Sequence, residues 1–132
     1  MNIAEILNGY LLENVLEEGC VIYNDVFPDS EGDCIISRHS PSQATEKVYI
    51  DGTAVGNVSL SYFMRSRDAG KCRNVLGGII SVTDGLRMTA DGIEVKFEAV
   101  TVPNFVSVDD KNNAVYTCDI TARYERKRGY RR

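Results

Sequence analysis

Three stretches of this chain alternate apolar with polar residues, and that period of two dictates a half-buried β-sheet. In Asn57–Arg65 the side chains of Val58, Leu60, Tyr62 and Met64 fall on one side, and those of Ser59, Ser61, Phe63 and Arg65 on the other. Ile93–Thr101 sets Ile93, Val95, Phe97, Ala99 and Thr101 against Glu94, Lys96, Glu98 and Val100. Val115–Arg126 sets Tyr116, Cys118, Ile120, Ala122 and Tyr124 against Thr117, Asp119, Thr121 and Arg123. Successive side chains of a strand point to opposite faces. Each stretch therefore offers one wall to a core and one to water or a partner.

The apolar walls need a cover, and two segments with helical periodicity supply it. Residues 2–18 place Ile3, Ile6, Leu7, Tyr10, Leu11, Leu12, Val15 and Leu16 at helical spacing, with Asn2 and Glu5 as a capping box and Gly19 as the stop. A second helix is predicted from Arg67 to Val82, capped by Ser66 or Asp68, with Ala69, Cys72, Val75, Leu76, Ile79 and Ile80 on its apolar face. Its Gly77-Gly78 pair costs about 1 kcal/mol per glycine relative to alanine, which a close approach of helix to sheet would explain. Shorter strands are predicted at 20–27, Asp33–Arg38 and Glu46–Ile50, the last followed by the hairpin signal Asp51-Gly52. Asn104–Asn113 reads as a loop. The order α-β-β-β-β-α-β-β predicts an α+β fold: a mostly antiparallel sheet of four to six strands with both helices packed on one face.

At 132 residues, with 43% hydrophobic and 26% charged residues, the chain is expected to form a single domain over 1–132. No window approaches the ~20 apolar residues of a membrane span, and the acidic N-terminal stretch lacks the features of a signal peptide, so no membrane role is expected and the chain is read as intracellular when made. Cys20, Cys34, Cys72 and Cys118 include no C-x-x-C pair and read as reduced thiols filling the core.

No phosphate-binding, nucleophile-elbow or zinc-protease motif occurs. The lone histidine, His39, sits in a serine-rich turn and is read as a loop residue. The sequence therefore predicts no catalytic residue, no metal site and no cofactor. Asp109 and Asp110, with Asp119, lack the spacing of a calcium loop and fit turn chemistry.

What stands out instead is the placement of charge. The last ten residues hold six Lys/Arg against the single Glu125, a net +5, so the remainder carries −9 of the overall −4. Arg65, Arg67, Lys71 and Arg73 gather at the start of the second helix, where positive charge opposes the helix dipole. These four residues, Asp109, Asp110 and the terminal cations Arg123, Arg126, Lys127 and Arg128 are the candidate contact residues. The tail end 123–132 either frays in solvent or meets an acidic neighbour.

Three segments carry a family resemblance: IAEILNGYLLENV, the strand-to-helix run SLSYFMRSRDAGKCRNVLGGIISVTDGL, and IEVKFEAVTVPNFVSVDDKNNAVYTCDITARYERKR. Together they resemble the small minor capsid and tail-terminator (tail completion) proteins of long-tailed phages and prophages. In that family a proline follows the penultimate strand, and a D-x-x-N/G turn precedes a last strand ending in basic residues. Pro103, Asp110, Asn113 and Arg123–Arg128 match. The segment Glu31–Gly56 departs from the family pattern by an extra hairpin. The resemblance implies a virion protein, made in the bacterial cytoplasm and located in the tail or neck. It would form a homo-oligomeric ring, a hexamer on the tail, that caps the tube, with the tail tube protein and the head–tail connector proteins as partners and DNA only as passing cargo. A head-completion or connector-adaptor role, or a tube subunit, fits the same pattern. A different class is a small nucleic-acid-binding module using the basic C-terminus, against which the −9 body argues. A small enzyme fits least.

Overall fold

The computed structural model describes residues 3–17, 20–28, 32–39, 45–90 and 92–126. Its frame is a pair of 13-residue strands, β4 (Ala54–Ser66) and β8 (Ala114–Arg126), antiparallel over their whole length from Ala54↔Arg126 to Ser66↔Ala114. Each long strand is flanked on its outer side by two shorter ones placed end to end. β2 (Cys34–His39) and β3 (Thr45–Val48) share the outer side of β4, and β6 (Ile93–Ala99) and β7 (Asn104–Val108) share that of β8. β1 (Ile22–Asn24) runs parallel to β2, and β5 (Arg87–Ala90) antiparallel to β6, giving the path β1-β2-β4-β8-β6-β5 in one eight-stranded sheet.

The α+β class, the mostly antiparallel sheet and the two helices agree with the sequence reading; among the described residues there are eight strands rather than four to six. The two extra strands are β5 and β7. β7 occupies the segment read as a loop, and a bulge between Phe105 and Ser107 breaks the alternation that would have marked it. β5, Arg-Met-Thr-Ala, is too short and polar to show a period.

Both helices cover the face that carries Leu60, Tyr62, Met64, Val95, Phe97, Tyr116, Cys118, Ile120 and Ala122. From α1 (Ile3–Asn14), Ile3, Leu7 and Leu11 join that core, and from α2 (Ala69–Thr83), Cys72, Leu76 and Ile79. α1 ends sooner than predicted. The N–H groups of Val15 and Leu16 both donate to the Leu11 carbonyl (3.0 and 2.9 Å), which closes the helix before Gly19, a residue outside the described set, as is Asn2 of the expected capping box. α2 begins as predicted, with Asp68 as N-cap accepting from the Lys71 N–H at 3.2 Å, while Ser66 Oγ accepts from the Asp68 N–H.

The expected close approach at Gly77 and Gly78 does not occur. A Cβ at either position would meet nothing within 4 Å, so helix–sheet packing does not account for these glycines. At the Asp51-Gly52 turn, Gly52 adopts φ 90°, where a side chain would be strained. Its N–H donates to the Tyr49 carbonyl, and the Thr53 N–H donates to Asp51 Oδ1.

The second face of the sheet is polar at its centre. Ser61 Oγ donates to Asp119 Oδ1 at 2.6 Å across the central strands. The backbone of Asp119 bridges the break between β6 and β7, its N–H donating to Thr101 Oγ1 and its carbonyl accepting from the Val100 N–H. Near β1 this face is closed over: Ile36 is fully buried there, where the Arg38 guanidinium lies 4.7 Å above the Phe63 ring and that of Arg65 5.0 Å above Phe27. Cation–π contacts of this kind contribute about 0.5–1 kcal/mol at exposed sites.

Candidate assembly surfaces

The surface chemistry is set by the two ends of the β4–β8 pair. At one end lie the last residues of β4, the start of β8, the start of α2, and strands β1, β2 and β7. At the other lie the β3–β4 turn, the last residues of β8, and β5 and β6.

At the first end three of the four cations expected at the start of α2 are directed to separate partners. Lys71 Nζ pairs with Asp33 at 2.5 Å. That contact holds the Asp33 carboxyl below its ordinary range, with Ser66 adding a second hydrogen bond, and raises the Lys71 ammonium above its own. Arg73 Nη1 donates to the Tyr116 hydroxyl at 2.9 Å. Arg65 turns to the opposite face, with Nη2 3.2 Å from Cys34 Sγ and Nη1 3.5 Å from the Pro28 carbonyl. Arg67 is exposed and shares a shallow depression with Asp33, Lys111 and Asn113.

Asp109 organises the β7–β8 turn. Its carboxylate accepts from the N–H of Asn113 (2.8 Å), the side-chain amide of Asn113 (3.0 Å) and the N–H of Lys111 (2.9 Å). The hydrogen bonds from Asn113, backbone first, lower its pKa. Asp110 is exposed beside it. Folding thus brings Arg67 near this turn, and leaves Arg123 and Arg126 at the far end of the sheet.

There Arg123 stands in cross-strand register with Lys96, and Lys96 with Arg87. The next row pairs Glu94 with Glu125. Like charges directly opposite on neighbouring strands are unfavourable, and the 3.7 Å contact from Lys96 to Glu98 offsets this only at the centre of the cationic row. Lys127 and Arg128 lie outside the described residues.

Apolar side chains are exposed in three places that the sequence reading did not single out. The β3–β4 turn carries Val48, Tyr49 and Ile50; the β7 edge carries Phe105, Val106 and Val108, preceded by Val100 and Val102; the β1 edge carries Val21, Tyr23 and Val26. In the sequence such residues are indistinguishable from core. Only the strand order shows that they sit at rims. Among the described residues no group of three or more His, Cys, Asp or Glu side chains gathers as a metal site would require.

A family model described as bacteriophage tail terminator protein matches residues 10–126, a span that takes in every strand and all of α2. The chain belongs to the bacteriophage tail terminator family. No curated protein matches it. Terminators are structural proteins of the phage tail, so this terminator is a virion component that works by contact with itself and with other tail or head proteins. Among its described residues no helix is long and apolar enough to cross a membrane.

Proposed function

We propose that this terminator is a single α+β domain that assembles into a closed ring on the end of the tail tube, a hexamer, stops tube growth, and offers the surface to which the filled head docks through its connector proteins. The observation that carries the reading is the family match over residues 10–126. The sheet supports it. Strand edges and exposed apolar residues occur on two different sides of the molecule, and unlike surfaces that meet head to tail close into rings when the rotation allows.

The cations at the end of β8 act as the electrostatic part of the contact. Arg123, in its row with Lys96 and Arg87, gains when an acidic neighbour faces it, and Arg126, Lys127 and Arg128 extend that charge. Arg65, Arg67, Lys71, Arg73, Asp109 and Asp110 serve the opposite end of the subunit, where Arg67, Lys71, Arg73 and Asp110 are the exposed members. DNA passes through the ring as cargo.

Adding purified terminator to polymerising tube protein tests this reading through the length distribution of the tubes. Capping shortens them in proportion to terminator added. Lengths that do not respond contradict the proposal. Reversing Arg123, Arg126, Lys127 and Arg128 to glutamate together is expected to abolish capping with the fold intact.

A further inference from the structure

The registers connect into one apolar row that crosses the whole sheet: Ile22, Ile35, Met64, Tyr116 and Phe105 lie side by side on β1, β2, β4, β8 and β7. Both ends of that row are open. Among the described residues no strand pairs with the outer side of β1 or of β7. At the β7 end Phe105 is 55% exposed although its ring packs edge-on against Tyr116 at 5.7 Å, and Val106 and Val108 are exposed beside it. Proteins ordinarily blunt such edges with charge, proline or a covering segment. Here the strand itself is Asn-Phe-Val-Ser-Val.

Beyond the β1 end lies a groove of about 540 Å³ between the end of α1, β1 and α2, lined among others by Val15, Leu16, Val21, Tyr23, Val75 and Gly78. Gly78 is the second observation. A glycine in mid-helix costs about 1 kcal/mol relative to alanine, and a Cβ there would touch nothing in this chain. The space it leaves open faces the groove.

We infer that the β7 edge of one copy docks against the β1 edge and groove of the next, with Phe105 as the anchor. A second copy is the occupant because this chain carries both halves of the contact, on opposite sides of the sheet and at the same level. Strand directions agree: β1 runs with β2, and β7 runs against β8. A neighbour displaced sideways without being flipped therefore brings β7 antiparallel to β1, with the helix-covered faces on the same side. The two surfaces differ, so the contact is heterologous and propagates from copy to copy. The inference rests on the terminator reading for the self-assembly it requires.

The test is proximity cross-linking on tail tubes, which supply a template. In a Cys20→Ser background, Tyr23→Cys and Asn104→Cys occupy the two edges. A short bismaleimide should convert the doubly substituted terminator into a ladder of dimers, trimers and higher species, and leave each singly substituted chain monomeric. No ladder, or dimers from a single cysteine, overturns the inference. Gly78→Met, which favours the helix while filling the groove, should weaken copy-to-copy association roughly tenfold or more, on the scale of losing one buried anchor. Association at the wild-type level in that variant also overturns it. Shortened tubes without a ladder reject this edge contact while leaving the terminator reading in place. Tubes unaffected by wild-type protein reject that reading itself.

Discussion

The hydroxyl of Tyr62, a fully buried side chain of β4, donates a 2.5 Å hydrogen bond to Oδ1 of Asn8 on α1. The Asn8 amide in turn donates to Ser37 Oγ on β2 at 3.0 Å. This relay fixes the first helix across two strands. Asn8→Ala leaves a buried hydroxyl without its acceptor and is expected to cost about 1–3 kcal/mol, whereas Tyr62→Phe removes donor and desolvation together and should cost about 0.5–1.5 kcal/mol. Urea unfolding of both variants and of the pair gives the order, and the double variant should lose less than the sum of the singles.

Gly77→Ala and Gly78→Ala should each stabilise the fold by about 0.5–1 kcal/mol, because the helix gains propensity and the new methyl meets no atom. Thermal unfolding would register this as a rise in Tm. A fall would place an unrecognised contact at these positions.

Acid should weaken the fold through Asp109 and Asp33. Both carboxyls have folded pKa values below the 3.8 of the free group, Asp109 through the Asn113 hydrogen bonds and Asp33 through Lys71 and then Ser66. A depressed carboxyl contributes stability that is complete above its unfolded value and is lost as pH falls through its folded value. Stability should therefore drop below about pH 4. Lys71 acts with the opposite sign: its raised value adds stability below its unfolded 10.5 that is lost as pH rises through the folded value. Because the Lys71–Asp33 pair is largely exposed, solvent screens it and its contribution is small. Asp109→Asn should flatten the acid limb of the stability profile more than Lys71→Met does.

The four cysteines are free thiols in different settings. Burial pushes Cys118 up to about 12 and raises Cys72 and Cys20 as well, but only Cys20 is half-open to solvent. Mild alkylation at pH 8 should label Cys20 first, and Cys72 and Cys118 only on unfolding. Mass spectrometry of the labelled peptides reads the order.

Much of this fold was legible because its longest elements obey simple periods. The alternation in Asn57–Arg65 and Val115–Arg126 falls inside β4 and β8, and the predicted helix at Arg67–Val82 lies within two residues of α2 at each end. The losses have physical causes. A bulge hides β7, and β5 is too short to show any period. Ile36, in register with Phe63 on the face away from the helices, is fully buried, and nothing in the sequence marks that side as the one where the Arg65 guanidinium meets the Phe27 ring. Of the proposed contact residues, the charges Arg67, Asp110 and Arg123 were visible in the sequence and are exposed, and their part in a contact is a proposal. The apolar rims were not visible, because Phe105 and Tyr23 carry no mark of being at an edge until the strand order is known.

Under the function proposed above, this chain ends the tail and prepares it for the head. That function is tested most directly by electron microscopy of particles from the phage or prophage that encodes the chain, with the gene disrupted. Filled heads lying apart from overlong or unjoined tails are the predicted result. Joined particles with tails of normal length would contradict it.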